Sequence, residues 1–261
     1  MGDVAYEVRG QAGWIRIDRP EAMNALSPSV VAGFQEALDR ASSDDDVRVV
    51  VVTGTGRAFC AGADLKAIRG MSGDDPGRNT LAFLEEAGKV FDGLEAFPKP
   101  IIAAVNGLAL AGGLELVLCC DLVLAAESAK LGDAHANYGL IPGGGGSIRL
   151  PRKVGLAMAK YLLFTGDFLP AADLVACGLV NEVVPDERLG ERVDALVEVI
   201  ASKSPLGLRR MKQLVHDGLD QSVATGVRLE LVASEAHASS HDVAEGLAAF
   251  QEKRPARFTG R

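Results

Sequence analysis

The sequence predicts an α/β core followed by a mostly helical C-terminal region, and three observations point that way. Strand and helix signals alternate through the first half. One segment, "VRVVVVTG", is a near-continuous β-branched run, and from about Gly155 the strand signals thin out. The run of valines is the most specific of the three. A strand with one wet face alternates apolar and polar residues, whereas an unbroken apolar run is typical of a strand covered on both faces, as in a parallel sheet flanked by helices.

Taken in order, "GWIRIDR" has the two-residue period of a strand. "SPSVVAGFQEALDRAS" predicts a helix with Ser27 as N-cap and Pro28 in the first turn, carrying Val30, Val31, Phe34, Leu38 and Ala41 on one face. "KPIIAAVNG" and "DLVLAAE" repeat the buried-strand signal, and residues 112–120 between them predict a helix that opens on two glycines. Beyond residue 155, helix patterns recur in "GLAMAKYLLFTG", "PAADLVACG", "DERLGERVDALVEVIASK", "SPLGLRRMKQLVHDG" and "SSHDVAEGLAAFQEKR", punctuated by Gly and Pro. The expected organisation is a core over residues 1–200 and a helical region over 201–261 that serves assembly. Residues 69–80, "RGMSGDDPGRNT", are rich in turn formers and predict a mobile surface loop where substrate could enter.

Composition narrows the function. Hydrophobic residues make up 48% and charged residues 24%, the balance of a packed protein rather than a disordered one. A net charge of −8 argues against a nucleic-acid partner, because neutralising phosphates needs a basic surface. A small anionic ligand held by a local Lys or Arg stays compatible with it. The apolar runs are far too short to span a bilayer, and the N-terminal residues lack the pattern of an export signal, so a cytoplasmic protein without membrane contact is expected. Cys60, Cys119, Cys120 and Cys177 show no CxxC spacing and read as free thiols. Cys60 has no histidine near it in sequence that would make it a nucleophile.

Two glycine motifs carry chemistry. "VVTGTGRAFCAGADL" follows a predicted strand, but Gly54 and Gly56 are followed by Phe59 where a dinucleotide fingerprint needs its third glycine. The small residues of "AGAD" instead let a ligand approach backbone N–H groups closely. "NGLALAGGLELVLCCD" repeats the device, with Gly112 and Gly113 opening a helix whose first N–H groups are free. Two such donors converging on one carbonyl oxygen would form an oxyanion hole. Glu115 lies one turn further on, and the residues leave two readings open: a pocket carboxylate, or a first-turn glutamate favoured by the helix dipole.

"RPEAMNALS", "RAFCAGADL", "KPIIAAVNGLALAGGLELVLCCDLVLAAESAKLGDA", "GLIPGGGGSIRLPRKVG", "TGDFLPAADLVACGLVNEVV" and "EGLAAFQEKRPARFTG" together resemble the enoyl-CoA hydratase/isomerase, or crotonase, superfamily over nearly the whole chain. The resemblance implies a spiral of ββα units with a helical C-terminal trimerisation region, assembled as a homotrimer or as a hexamer of two trimers. It implies a lyase that adds water to a 2-enoyl-CoA, with enoyl-CoA isomerisation, or another reaction run by one acid–base residue, as the alternative within the fold. A non-catalytic acyl-CoA binder is the alternative from another class. No separate cofactor and no metal are implied, since coenzyme A enters as part of the substrate.

Residue by residue, the resemblance assigns the oxyanion-hole N–H groups to Ala63 and Gly112. It assigns acyl-CoA contacts to Met23, Ala25, Leu26, Ala61, Asp64, Leu65, Lys66, Gly113, Pro142 and Gly143. Phe250 and Lys253 would lie near the coenzyme A of a neighbouring subunit. Glu115 matches the first of the two glutamates that share the water in hydratases. The second falls on His135, in "LGDAHANYGLIPG", which departs from the family pattern. An imidazole with a pKa of about 6.5 can still give or take a proton at neutral pH. The competing reading is that His135 only bonds the backbone beside residues 143–146 and lines the pocket. His237 and His241 stand four apart, but Ser239 and Ser240 read as the end of one helix and the cap of the next, so a metal site is not expected there.

Overall fold

The computed structural model describes residues 2–71 and 75–261. β1 (Val4–Arg9) and β2 (Ala12–Ile17) form an antiparallel hairpin, and α1 (Pro28–Ser43) leads to β3 (Val49–Gly54), which runs parallel to β2. Three ββα units follow. The first is β3, β4 (Ala58–Cys60), then α2 (Leu65–Arg69) and α3 (Pro76–Glu95). The second is β5 (Ile101–Val105), β6 (Leu108–Leu110) and α4 (Gly112–Leu118). The third is β7 (Leu122–Ala126), β8 (Lys130–Gly132) and α5 (Gly146–Thr165). Then come β9 (Phe168–Pro170), β10 (Glu182–Val184), α6 (Leu189–Ala201), α7 (Pro205–Gly218), α8 (Val223–Ala238) and α9 (His241–Glu252).

Each unit sends its first strand to one sheet and its second to another. Among the described residues the sheets run β1-β2-β3-β5-β7-β10 and β4-β6-β8-β9, with β3, β5 and β7 parallel in the first and β4, β6 and β8 parallel in the second. This is the expected spiral. Its core is legible in the valines of β3, all fully buried from Val49 to Val52; α6 packs on β3, β5 and β7, and α1 packs on β1 and β2. Ser27 caps α1 as expected, its hydroxyl accepting from the Val30 N–H at 3.2 Å.

Three expectations need correction. Residues 69–80 are not one loop. Ser72, Gly73 and Asp74 lie outside the described residues, and α3 begins at Pro76, because the Asp75 carboxylate accepts from the N–H groups of Gly77 and Arg78. The cap-and-proline device that marks the start of α1 is repeated there, hidden among turn formers. Within "PAADLVACG" only a short 3-10 turn, Ala171–Leu174, forms. The helix read from Gly155 is the second half of α5, which starts nine residues earlier and breaks at Gly155, where φ is 77°. Ser240 does cap α9 as expected, accepting from the Val243 N–H. Cys60, Cys119, Cys120 and Cys177 are free thiols, and burial pushes the Cys60 thiol up to about 12, which makes it inert as a nucleophile.

Candidate active site

The site grows from the place where the second unit packs on the first. Gly113, in the first turn of α4, sits against β4 so closely that a Cβ there would stand 1.9 Å from the Cys60 carbonyl oxygen. Gly113 is therefore demanded by packing, a reason of its own beside the acyl-CoA contact that the resemblance assigns to it. The same close approach brings the glycine-rich turn after β4 to the start of α4. Gly62 has φ of 104°, and a Cβ on it would lie 3.6 Å from the Gly112 nitrogen; one on Gly112 would lie 3.6 Å from the Ala63 nitrogen. The two expected N–H groups are thus neighbours. Among the described residues neither donates to a backbone or side-chain acceptor.

The residues around this pair are held by the chain itself. Leu26 bridges Ala63 as an isolated parallel strand pair, donating to the Gly62 carbonyl at 2.8 Å and accepting from the Asp64 N–H at 2.9 Å. Ala61 donates to the Met23 carbonyl, and Arg19 donates to the Ala25 carbonyl. The Asp64 carboxylate caps α2 through the Ala67 N–H and pairs with Arg19 at 3.0 Å, so its pKa is lowered from the ordinary carboxylate value, chiefly by the cap bond. Its charge is met within the protein. Leu65 and Lys66 are exposed beside it.

Glu115 projects from the first turn of α4 and is 3% exposed. Its Oε1 accepts two backbone N–H groups, from Gly144 at 2.8 Å and Gly146 at 2.9 Å. The side chain is thus buried and bonded by a loop distant in sequence. Burial raises its pKa, while the Gly146 and Gly144 N–H groups and the nearby His135 pull it back. The glycine run is shaped to this carboxylate. A Cβ on Gly144 would lie 2.4 Å from the Phe91 ring and 2.8 Å from Glu115 Oε2, and one on Gly146 would lie 3.1 Å from Oε1. Gly143 packs against Leu84, and half-buried Pro142 packs toward Gly146.

His135 opens the 3-10 turn His135–Tyr138, and its ring Nδ1 lies 3.0 Å from the carboxylate of Asp133, which is 1% exposed. The N–H groups of Gly144 and Gly146 are taken by Glu115, and the His135 ring contact is with Asp133. Desolvation lowers the His135 pKa, but the hydrogen bond and charge of Asp133, with the charge of Glu115, outweigh it and leave the ring more basic than an ordinary imidazole. Sequence reading missed Asp133, although an acid two residues before a histidine was a visible signal. It also missed Arg149, which donates to the Gly144 carbonyl and pairs with Glu95 and Asp92 on α3.

Two expected residues stand apart. Phe250 is 83% exposed near the end of α9, and Lys253, also exposed, ends that helix with φ of 54°. A groove of about 760 Å³ between α5 and α7, bordered by Ile148, Arg149, Met211 and Val215, is lined by none of Ala63, Gly112, Glu115 or His135. Among the described residues no group of three or more His, Cys, Asp or Glu side chains could hold a metal ion, and no helix is long and apolar enough to cross a membrane.

The sequence model of the enoyl-CoA hydratase/isomerase family matches residues 9–261. Crotonyl-CoA hydratase of Syntrophomonas wolfei is 39% identical over 257 residues, covering 98% of this chain and 97% of that protein. The mitochondrial enoyl-CoA hydratase domain-containing protein 2 of Bos taurus is 41% identical over 251 residues, covering 94% and 83% respectively. Among solved structures, an enoyl-CoA hydratase from Bacillus anthracis superposes with a TM-score of 0.93 at 36% identity, covering 99% of this chain and 100% of that one.

Proposed function

Because the chain belongs to the enoyl-CoA hydratase/isomerase family, we propose that it is an enoyl-CoA hydratase in which Glu115 and His135 form the acid–base pair. The observation that carries this reading is the double N–H clamp on one oxygen of a buried carboxylate. It engages Glu115 Oε1 and leaves Oε2 to take a proton. The crotonyl-CoA hydratase relative supports a short 2-enoyl-CoA as the first substrate to try.

In this reading the thioester carbonyl is bound by the Ala63 and Gly112 N–H groups, aimed at the oxygen where charge develops. Glu115 removes a proton from water as the oxygen bonds to Cβ. The Cα–Cβ π pair moves toward the thioester, and the resulting enolate oxygen is met by the two donors. His135, as imidazolium, returns a proton to Cα. One water has then been added, and the proton on Glu115 passes back to His135 through the next water. The acyl-CoA contacts of residues 23–26, 61–66, 113 and 142–143 belong to the same proposal.

The test is a panel of 2-enoyl-CoA thioesters followed by loss of the conjugated-thioester absorbance. Glu115→Gln should lower hydration by about 10²–10⁴-fold with acyl-CoA affinity little changed. His135→Ala should also be slow, and His135→Glu should restore hydration if the position needs only a proton carrier. Equal rates in wild type and His135→Ala would make isomerisation, or another single-base reaction, the better reading. Saturated acyl-CoA binding without turnover of any unsaturated thioester would make the protein a binder.

Assembly into trimers, singly or paired as hexamers, and a cytoplasmic setting are part of the same proposal. Val215, Val223, Leu231 and Phe250 on α7, α8 and α9 are exposed in the single chain, which supports a surface covered by other copies. A sedimentation mass near one chain would contradict it.

A further inference from the structure

We infer that Asp133 is a positioning residue whose carboxylate fixes His135 as the Nδ1–H tautomer and leaves Nε2 as the ring position that exchanges protons. The inference rests on the reading of His135 as the partner of Glu115. Its basis is geometric. Asp133 Oδ2 lies 3.0 Å from His135 Nδ1, and Oδ1 accepts the His135 backbone N–H at 3.3 Å. Ala134, between them, has φ of 59°, a left-handed conformation that an L-residue adopts only where its surroundings require it. That reversal lets residues two apart face each other.

Asp133 is a buried carboxylate, and a charge in that setting needs a partner. Among the described residues its ion-pair partner is His135, and no Lys or Arg pairs with it. A carboxylate accepts and does not donate, so the Nδ1 contact puts the ring proton on Nδ1. The neutral ring then offers a lone pair at Nε2, and the imidazolium offers an N–H there. The charged groups acting on His135 are Asp133 on its own turn and Glu115 on α4. Both favour the imidazolium, the form that delivers a proton to the substrate's α carbon.

A loop staple alone would need only an acceptor at residue 133, which an amide supplies. Asp133→Asn keeps that acceptor and removes the charge. The expected result is a folded enzyme with kcat lowered at least ~10-fold and KM little changed, since an amide behind a catalytic imidazole can cost up to about 10⁴-fold by reversing the tautomer. The alkaline limb of its pH–rate profile should move to lower pH. The His135 ring resonance, assigned by its loss in His135→Gln, should titrate at lower pH than in wild type. An unmoved ring titration and an unmoved alkaline limb in folded Asp133→Asn would overturn the inference. If Asp133→Asn does not fold, ring 15N shifts of the wild-type protein above the imidazole pKa decide the matter. They should report Nδ1–H, and a predominant Nε2–H tautomer would overturn the assignment. Full activity in His135→Ala would remove the acid–base reading beneath it, a failure seen in a different variant.

Discussion

Arg149 Nη1 donates to the Gly144 carbonyl at 2.7 Å, gripping the residue whose own N–H donates to Glu115. The same guanidinium reaches Glu95 at 2.6 Å and Asp92 at 2.8 Å, so the end of α3 holds the glycine run in place through one side chain. Arg149→Lys keeps the charge but loses the planar fork that meets three partners at once. It should lower unfolding stability by about 1.5–3 kcal/mol, the range for losing hydrogen bonds to charged groups, and lower kcat more than it raises KM. Urea unfolding with kinetics on one enoyl-CoA checks both, and a variant matching wild type in both would show that the loop holds itself.

Gly144→Ala tests the fit of the loop to the carboxylate. The added methyl would meet the Phe91 ring at 2.4 Å and Glu115 Oε2 at 2.8 Å, so something must shift. A loss of about 1–3 kcal/mol is expected from the overpacking, with a marked loss of turnover. Adding Phe91→Leu should recover stability and leave turnover low, because the crowding at Oε2 remains. Recovery of both would place the whole effect in the core.

Gly112→Pro removes one proposed oxyanion donor. The loss should be about 2.7–4 kcal/mol in the transition state, read from kcat/KM beside circular dichroism to verify folding. A folded variant with undiminished kcat/KM would exclude the Gly112 N–H from the reaction.

Glu115 also predicts a dependence of stability on pH. Burial raises its folded-state pKa above the ordinary 4.5, so the folded chain holds the proton more tightly than the unfolded chain does. That contribution to stability is fully present below the ordinary value and is lost as pH rises through the raised one. Glu115→Gln does not ionise and keeps an acceptor for the Gly144 and Gly146 N–H groups. Its unfolding temperature should gain on wild type as pH rises from mildly acidic to neutral. A difference that is constant across that range would mean that the carboxyl titrates normally.

Much of the fold was legible in the sequence because the signals were local. Ser27 and Pro28 announce α1, the valines of β3 announce a strand covered on both faces, and Gly112 and Gly113 announce the start of α4 beside the turn at Ala63. α3 was missed where its cap, Asp75, stood among turn formers whose composition is that of a loop. Glu115 and His135 could be picked out as residues, but their surroundings could not. Glu115 is bonded by N–H groups 29 and 31 positions away, and those bonds exist only because the third ββα unit returns the glycine run to α4. The Asp133–His135 contact is only two residues long, yet it depends on the left-handed turn at Ala134, which no side chain there advertises. Periodicity and caps report what a segment prefers on its own, so the sequence by itself determined the strands, the helix starts and the candidate pair. Burial, proton affinity and the choice of partner are properties of groups brought together from distant segments, and tertiary structure alone decided them.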